Sequence, residues 1–161
     1  VSLRRNRASM NAAWAVHVYQ GDGNNQYVLL HSAAYGRYLG ATDAPARRGH
    51  SGRRVEQCDY EPWQEVDIRW QAVRIGSGDD VLLRHVAGRL RANGRYLSWN
   101  NGVSAEDIED TYIVSTMMHW VVEPIPARVT MPPLPRCTGV SPPCPLLDSS
   151  RICANWVLGC C

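Results

Sequence analysis

Short apolar stretches separated by glycine, asparagine and polar residues run through most of the chain, and one such pattern occurs twice. Residues 28–41 read VLLHSAAYGRYLGA and residues 81–92 read VLLRHVAGRLRA. Each contains an apolar run, a short turn with glycine, and then Gly-Arg, leucine and alanine. A strand, a tight turn and a second strand produce this pattern. We therefore predict two β-hairpins, of which the second has the shorter turn and lacks the tyrosine that Tyr38 supplies in the first.

A second element occurs three times, as a tryptophan that opens a short strand of branched residues. These segments are residues 14–19, 70–75 and 120–125. Successive tryptophans are separated by 56 residues (14 to 70) and 50 residues (70 to 120). The short segments 54–56 and 102–104 are predicted as middle strands, and residues 1–4 as their counterpart in the first unit. Helical periodicity is not sustained anywhere, so the prediction is an all-β chain with an internal repeat.

Three four-stranded units of this length describe a β-trefoil, which is a closed barrel capped by hairpins. The large apolar residues at repeated strand positions are expected to form its core. These residues are Trp14, Trp70, Trp120, Leu29, Leu39, Leu82, Leu90 and Leu97. Because no hairpin precedes Trp14, we expect the first repeat to be incomplete and the chain to be truncated at its N-terminus, lacking roughly two of twelve strands.

The composition changes near Pro126. Seven of the ten prolines and five of the six cysteines lie between Pro126 and Cys161. Proline removes backbone donors and fixes φ, so we predict a β-trefoil domain at residues 1–126 and an irregular tail at residues 127–161. The tail is interpreted first as unstructured or non-native, then as a disulfide knot, and last as a metal site. We expect it to lie outside the barrel, leaving the isolated chain partly open and prone to associate.

Charge and motifs exclude several classes of function. The net charge of +2 is too small for a nucleic-acid-binding face, and no apolar segment is long enough to span a bilayer. No signal peptide is visible, and Cys58 is the only cysteine before the tail, which is typical of an intracellular, cytoplasmic protein. His17, His31 and His119 lie in or beside predicted strands and are expected to be satisfied structural residues. The acidic run at residues 106–110 is expected to be a solvated loop, and we predict no enzyme activity, no cofactor and no metal.

Two groups of arginines are the candidate partner-binding residues. One alternates around the second hairpin, where aromatic residues follow, and the other lies in a glycine-containing loop. The first group is Arg89, Arg91 and Arg95 with Tyr96 and Trp99, and the second is Arg47, Arg48, Arg53 and Arg54. Arginine with aromatic residues is favoured at binding hot spots. The competing interpretation is scattered, solvated surface arginines, which is the commoner case.

Four segments carry a family resemblance: residues 35–39, 90–94, 96–101 and 119–122. Through these segments, residues 1 to about 127 resemble the plant fascin-like family. This family carries a domain of unknown function and is grouped with the actin-cross-linking fascin β-trefoils. The chain departs from that family in lacking the opening hairpin and in having Arg89–Ala92 one residue short of Arg-Tyr-Leu-Arg-Ala. The resemblance implies a non-enzymatic binding module whose partner is an acidic protein surface such as actin. The alternative is a trefoil that binds a small ligand or carbohydrate through Tyr38, Tyr96 and Trp99.

Overall fold

The computed structural model describes residues 13–21, 23–61, 64–93, 102–107, 115–124 and 154–160, which are mostly β-strand. The strands are β1 Ala13–Gln20, β2 Gln26–Ser32, β3 Tyr38–Pro45, β4 Arg53–Cys58, β5 Gln71–Arg74, β6 Asp80–His85, β7 Gly88–Ala92, β8 Val103–Glu106, β9 Trp120–Pro124 and β10 Ala154–Cys160. A single α-helical turn, α1 (Glu65–Ile68), and a 3-10 turn, Thr116–Met118, complete the described elements.

The ten strands form one antiparallel sheet in the order β5-β6-β7-β8-β4-β3-β2-β1-β10-β9. The terminal strand β9 also pairs with β6, through Asp80 opposite Val121 and Val81 opposite Trp120. The sheet therefore curls back on itself, while β5 stays at the other end of the strand order, paired with β6.

Both predicted hairpins and all three tryptophan strands are present. The first hairpin is β2–β3, and the second is β6–β7 with its turn at residues 86–87. The tryptophan strands are β1, β5 and β9, and two of the three predicted middle strands are β4 and β8. The third, at residues 1–4, lies outside the described residues. The repeated apolar segments and the repeated tryptophans thus located these strands correctly.

The predicted core is buried wherever it is described. Trp70 and Leu29 are fully inaccessible to solvent, and the other five described members of that set are at most 7% exposed. Leu97 lies outside the described residues. Most of these side chains belong to one cluster inside the curled sheet, together with Val16, Leu30 and Val55.

A short turn precedes two of the tryptophans, and the sequence analysis did not predict it. α1 ends at Ile68, two residues before Trp70, and the 3-10 turn ends at Met118, two residues before Trp120. Ile68 is 1% exposed and Met118 is fully buried. These turns are equivalent features of two repeats, because each places a buried apolar side chain at the same offset from its tryptophan.

The β1–β2 ribbon is buried on both faces. A second, smaller cluster contains Leu29, Tyr38 and Ile68, and lies outside the main core. His17 and His31 join it through ring contacts with Tyr38, with centroids 6.2 and 4.9 Å apart respectively. This cluster packs α1 against the hairpin β2–β3.

The prediction that the tail lies outside the barrel is wrong for its last residues. Ala154–Cys160 forms β10, which pairs with β1 on one side and β9 on the other. The prediction rested on proline, but the last proline is Pro145, so residues 154–160 keep every backbone donor. Residues 125–153, which include the segment considered as a replacement strand, lie outside the described residues.

Candidate functional site

The loop between β3 and β4 presents the second group of predicted arginines. Arg47 and Arg48 lie in the turn, Arg53 and Arg54 begin β4, and all four are exposed. We call these four residues the hairpin arginines, after the antiparallel pair β3–β4 that carries them. Within the described part of the chain none of them forms an ion pair, and Nη1 of Arg53 donates a hydrogen bond of 2.6 Å to the carbonyl oxygen of Asp43. The hairpin arginines therefore give this loop a concentrated positive charge.

Two backbone hydrogen bonds shape the loop. The N–H of Ala46 donates to the carbonyl of Gly52 at 2.9 Å, and the N–H of His50 donates to the carbonyl of Arg47 at 2.9 Å. Gly52 has φ +85°, and a Cβ there would lie 2.2 Å from the carbonyl oxygen of Ala105 on β8. Glycine is required at this position both for its left-handed backbone and for the close approach to β8.

The first group of predicted arginines is only partly described. Arg89 and Arg91 lie on β7 and are half-buried, whereas Arg95, Tyr96 and Trp99 lie outside the described residues. The Arg91 guanidinium forms an ion pair with Glu106, and the two side chains are 27% and 22% exposed. Its Nη2 also donates to Sδ of Met117 at 3.7 Å. Arg91 is thus engaged internally, in contrast to the hairpin arginines.

The structure brings the two groups onto neighbouring strands. β8 pairs with β4 on one side and β7 on the other, so that Ser104 lies opposite both Arg54 and Arg91. The hydroxyl of Ser51 joins the groups directly, because its Oγ accepts from Nη1 of Arg91 at 3.1 Å and donates to Oε1 of Glu106 at 2.8 Å. One arginine-bearing surface therefore runs from the β3–β4 loop towards β7.

Two members of this arrangement were missed from the sequence. Ser51 was assigned no role from the sequence. Glu106 was assigned to a solvated acidic loop, but it ends β8 and its side chain is 22% exposed. The pairing partner Arg91 is 15 residues away in sequence, and only the β7–β8 register brings the two charges together.

An open cleft of about 180 Å³ lies beside the hairpin arginines. It is lined by Ala41, Asp43, Arg53, Asp67, His85, Val86, Ala87 and Asp107. Its charged groups are three carboxylates, one guanidinium and one imidazole, and no tyrosine or tryptophan lines it. Tyr38, one of the aromatic residues considered for sugar binding, is 8% exposed and belongs to the second cluster.

His85, at one wall of the cleft, has both ring nitrogens engaged. Its Nε2 lies 2.9 Å from the carbonyl oxygen of Val66, and its Nδ1 accepts from the N–H of Ala87 at 2.9 Å. This arrangement needs the neutral tautomer with the proton on Nε2. Burial lowers the pKa of His85 below its usual value, which agrees with that protonation state.

The other predicted structural histidines differ from one another. His119 Nδ1 lies 3.4 Å from a carboxylate oxygen of Asp80. His17 and His31 instead are buried, and the Nε2 of each has no hydrogen-bond partner among the described residues, so the expectation of satisfied histidines is wrong for these two atoms. Burial lowers the pKa of both, and their mutual repulsion lowers that of His17 further.

Candidate metal clusters and membrane-spanning helices are both absent from the described residues. They contain no cluster of three or more His, Cys, Asp or Glu side chains suited to a metal ion. Likewise, none of the helical turns in the described ranges has the length and apolar character needed to cross a membrane.

The repeated hairpins and tryptophan strands agree with the outcome of comparison with known families. A family model described as a β-trefoil domain of unknown function (DUF569) matches residues 1–123. No curated protein and no solved structure matches the chain. The match covers most of the chain and includes β1 to β8 completely. It includes β9 except for its last residue, and it does not include β10. The chain therefore belongs to this family of β-trefoil domains of unknown function.

Proposed function

We propose that the protein is a non-enzymatic binding module that uses the hairpin arginines to bind an acidic protein surface. The observation that carries this proposal is the grouping of four exposed arginines in the β3–β4 loop and at the start of β4, with no ion pair to any of them in the described part of the chain. Arginine offers a planar fork of donors that fits carboxylates in pairs, so a free group of them suits an acidic surface. The low net charge of +2 makes the local concentration of charge more notable.

Actin is the acidic surface that the sequence resemblance suggests. A single module of this kind holds one filament, and cross-linking requires two modules joined or associated. The proposal for this chain is therefore binding to one filament through the hairpin arginines, without bundling by a monomer.

The chemistry of Cys58 supports the non-enzymatic part of the proposal. Burial and three nearby carboxylates raise the pKa of its thiol, and burial is the largest cause. A nucleophilic cysteine needs the opposite shift, because the thiolate is the reactive form. The cleft offers His85 as its one imidazole, but both nitrogens of that ring are already engaged.

Co-sedimentation with filamentous actin tests the proposal. The wild-type chain is expected to pellet with actin at tens of micromolar, less so as salt increases, because exposed charge pairs are screened. The double variant Arg47→Glu/Arg48→Glu is expected to lose this binding. Arg84→Glu is the control, because Arg84 is exposed on β6, makes no ion pair in the described chain and lies outside the β3–β4 loop.

Poly-L-glutamate provides a second probe that separates actin from acidic surfaces in general. Salt-sensitive binding to poly-L-glutamate but not to actin would keep the acidic-surface proposal and remove actin as the partner. Binding to neither, or binding that Arg47→Glu/Arg48→Glu leaves unchanged, would overturn the proposal.

The carbohydrate alternative has less support. Tyr38 is buried, and the open cleft is lined by aliphatic and charged residues rather than by aromatic rings, which sugars commonly stack on. Binding on a glycan array that Arg47→Glu/Arg48→Glu leaves intact would favour this alternative over the arginine surface.

A further inference from the structure

Ser51 is an exposed hydroxyl placed at the centre of the arginine surface. It lies in the β3–β4 loop, where its Oγ donates to Glu106 at 2.8 Å and accepts from Arg91 at 3.1 Å. Both hydrogen bonds are at the surface, and no apolar side chain of the loop has to leave the core for the hydroxyl to be reached. The hydroxyl is therefore accessible to an enzyme that modifies it.

The residues before Ser51 match a basic recognition pattern. Arg48 precedes it by three positions and Arg47 by four, and both side chains are exposed and unpaired in the described chain. An acidic enzyme cleft recognises such side chains in an extended substrate through bidentate hydrogen bonds. Extending the loop breaks the two backbone hydrogen bonds described above and the two hydrogen bonds of the Ser51 hydroxyl, but takes no buried apolar side chain out of the core.

We propose that Ser51 is a phosphorylation site for an arginine-directed serine kinase, and that its phosphorylation weakens binding at the hairpin arginines. The second half rests on the proposed function, whereas the first half does not. In the reaction, Ser51 Oγ forms a bond to the γ-phosphorus of a nucleoside triphosphate, and the bond from that phosphorus to the β–γ bridging oxygen breaks. The hydroxyl proton goes to the catalytic base of the kinase, and a nucleoside diphosphate leaves.

The surroundings of Ser51 determine what a phosphate does there. A phosphoserine carries about −1.5 to −2 charges near neutral pH, against the four positive charges of the hairpin arginines. The hydrogen bond from Ser51 to Glu106 is lost, and the phosphate and the Glu106 carboxylate repel each other. The same phosphate is an intramolecular anion that Arg91 and the hairpin arginines can bind. An acidic partner then competes with a phosphate that is already present on the same loop.

Ser77 is a natural comparator because Arg74 precedes it by three positions. The Arg74 guanidinium, however, donates to the carbonyl of Gly78 at 2.9 Å and pairs with Asp79 at 3.4 Å. The arginine before Ser77 is thus already engaged, and two acidic residues follow Ser77 closely. Ser98 has Arg95 at the same spacing and lies outside the described residues. The structure favours Ser51 because two free arginines precede it.

The test begins with the full chain, magnesium ATP and a basophilic serine kinase whose specificity requires arginine three residues before the acceptor. Mass spectrometry maps and quantifies the phosphorylated serines. Ser51 is expected to be modified at least about tenfold faster than Ser77, and the variant Arg47→Ala/Arg48→Ala is expected to remove that preference. Arg74→Ala is the matched control and leaves modification of Ser51 unchanged. Modification of Ser77 or Ser98 with Ser51 unmodified would overturn the assignment.

The regulatory half is tested on the phosphorylated chain with poly-L-glutamate as the probe. Its affinity is expected to fall by about tenfold relative to the unmodified chain, because the phosphate neutralises part of the local positive charge. Ser51→Ala chain treated with the same kinase should keep its affinity. Equal affinity of phosphorylated and unmodified chain would overturn the regulatory half. If the unmodified chain does not bind poly-L-glutamate at all, the proposed function fails, while the mapping of Ser51 stands on its own.

Discussion

Trp70 and Trp120 donate the same hydrogen bond from equivalent positions in two repeats. The indole Nε1–H of Trp70 donates to the carbonyl of Leu39 at 2.8 Å, and that of Trp120 donates to the carbonyl of Leu90 at 3.0 Å. Each bond ties a tryptophan strand to the second strand of the hairpin before it. The repetition shows that these tryptophans serve the fold both as apolar packing and as buried donors.

Replacing either tryptophan by phenylalanine is expected to be costly. Trp70→Phe leaves the buried carbonyl of Leu39 without its donor and creates a small void, so we expect the free energy of unfolding to fall by about 2 to 4 kcal/mol. Trp120→Phe should have a similar effect at Leu90. Urea denaturation of the full chain measures both, and Val86→Ala is the control, since Val86 is 82% exposed. Losses below those of that control would contradict the role assigned to the indole donors.

Gly52→Ala and Gly49→Ala separate backbone strain from steric overlap. Both glycines have positive φ, +85° and +88°, but only at Gly52 would a Cβ meet β8, 2.2 Å from the Ala105 oxygen. Gly49→Ala is expected to cost about 1 kcal/mol, and Gly52→Ala at least about 2 kcal/mol more, because the loop must move away from β8. Thermal or urea unfolding gives the difference, and equal costs would show that the loop does not rest on β8.

Acid is expected to destabilise the fold through His17 and His31. Their folded-state pKa values are lowered, while in the unfolded chain the pKa is about 6.5. Below that pH the unfolded state binds more protons than the folded state, so stability is complete above about pH 6.5 and falls as pH decreases towards the folded-state pKa. Each histidine contributes at most about 1.4 kcal/mol per pH unit in this window.

Urea midpoints measured between pH 8 and pH 5 test this pH dependence. The double variant His17→Gln/His31→Gln removes both titrating rings and is expected to flatten the pH dependence of stability. The contribution of His85 to that pH dependence remains. His50→Gln serves as the control. An unchanged slope in the double variant would show that other groups cause the acid sensitivity.

The ion pair of Arg91 with Glu106 is expected to contribute more than a typical surface pair. A double-mutant cycle with Arg91→Ala and Glu106→Ala should give a coupling of about 1 to 2 kcal/mol, since both side chains are mostly buried and share Ser51. The control cycle uses the ion pair of Arg37 with Asp59, in which Nε and Oδ1 lie 3.1 Å apart and the side chains are 52% and 68% exposed. That exposed pair should give less than about 1 kcal/mol. Equal couplings would show that burial does not strengthen the Arg91 pair.

Local patterns in the sequence were sufficient for β1 to β9, but not for β10 or for the contacts between strands. The hairpins, the tryptophan strands and the buried leucines follow from alternation and repetition within a few residues. The equivalent turns before Trp70 and Trp120 were missed because each is a single turn, too short to show helical periodicity.

The arginine surface was predicted in part for a related reason. The exposed arginines of the β3–β4 loop are adjacent in sequence and could be recognised as a group. The link from Ser51 through Arg91 to Glu106 depends on the register of β7 and β8, and no local pattern specifies that register. The pairing of residues 154–160 with β1 was missed because the proline-rich segment before them predicted an irregular tail, and because no local pattern links residues so far apart in sequence.

That pairing has a consequence for how quickly the chain folds. The ladder between β1 and β10 places Ala13 opposite Val157, so it forms only after nearly the whole chain has been brought together. The hairpins β2–β3 and β6–β7 close short loops and gain their contacts early, whereas this ladder carries the largest loop-closure entropy. Until it forms, the edges of β1 and β9 remain open to the C-terminal strand of another copy. Refolding at high concentration therefore favours exchange of β10 between two chains, and dilution favours the closed monomer.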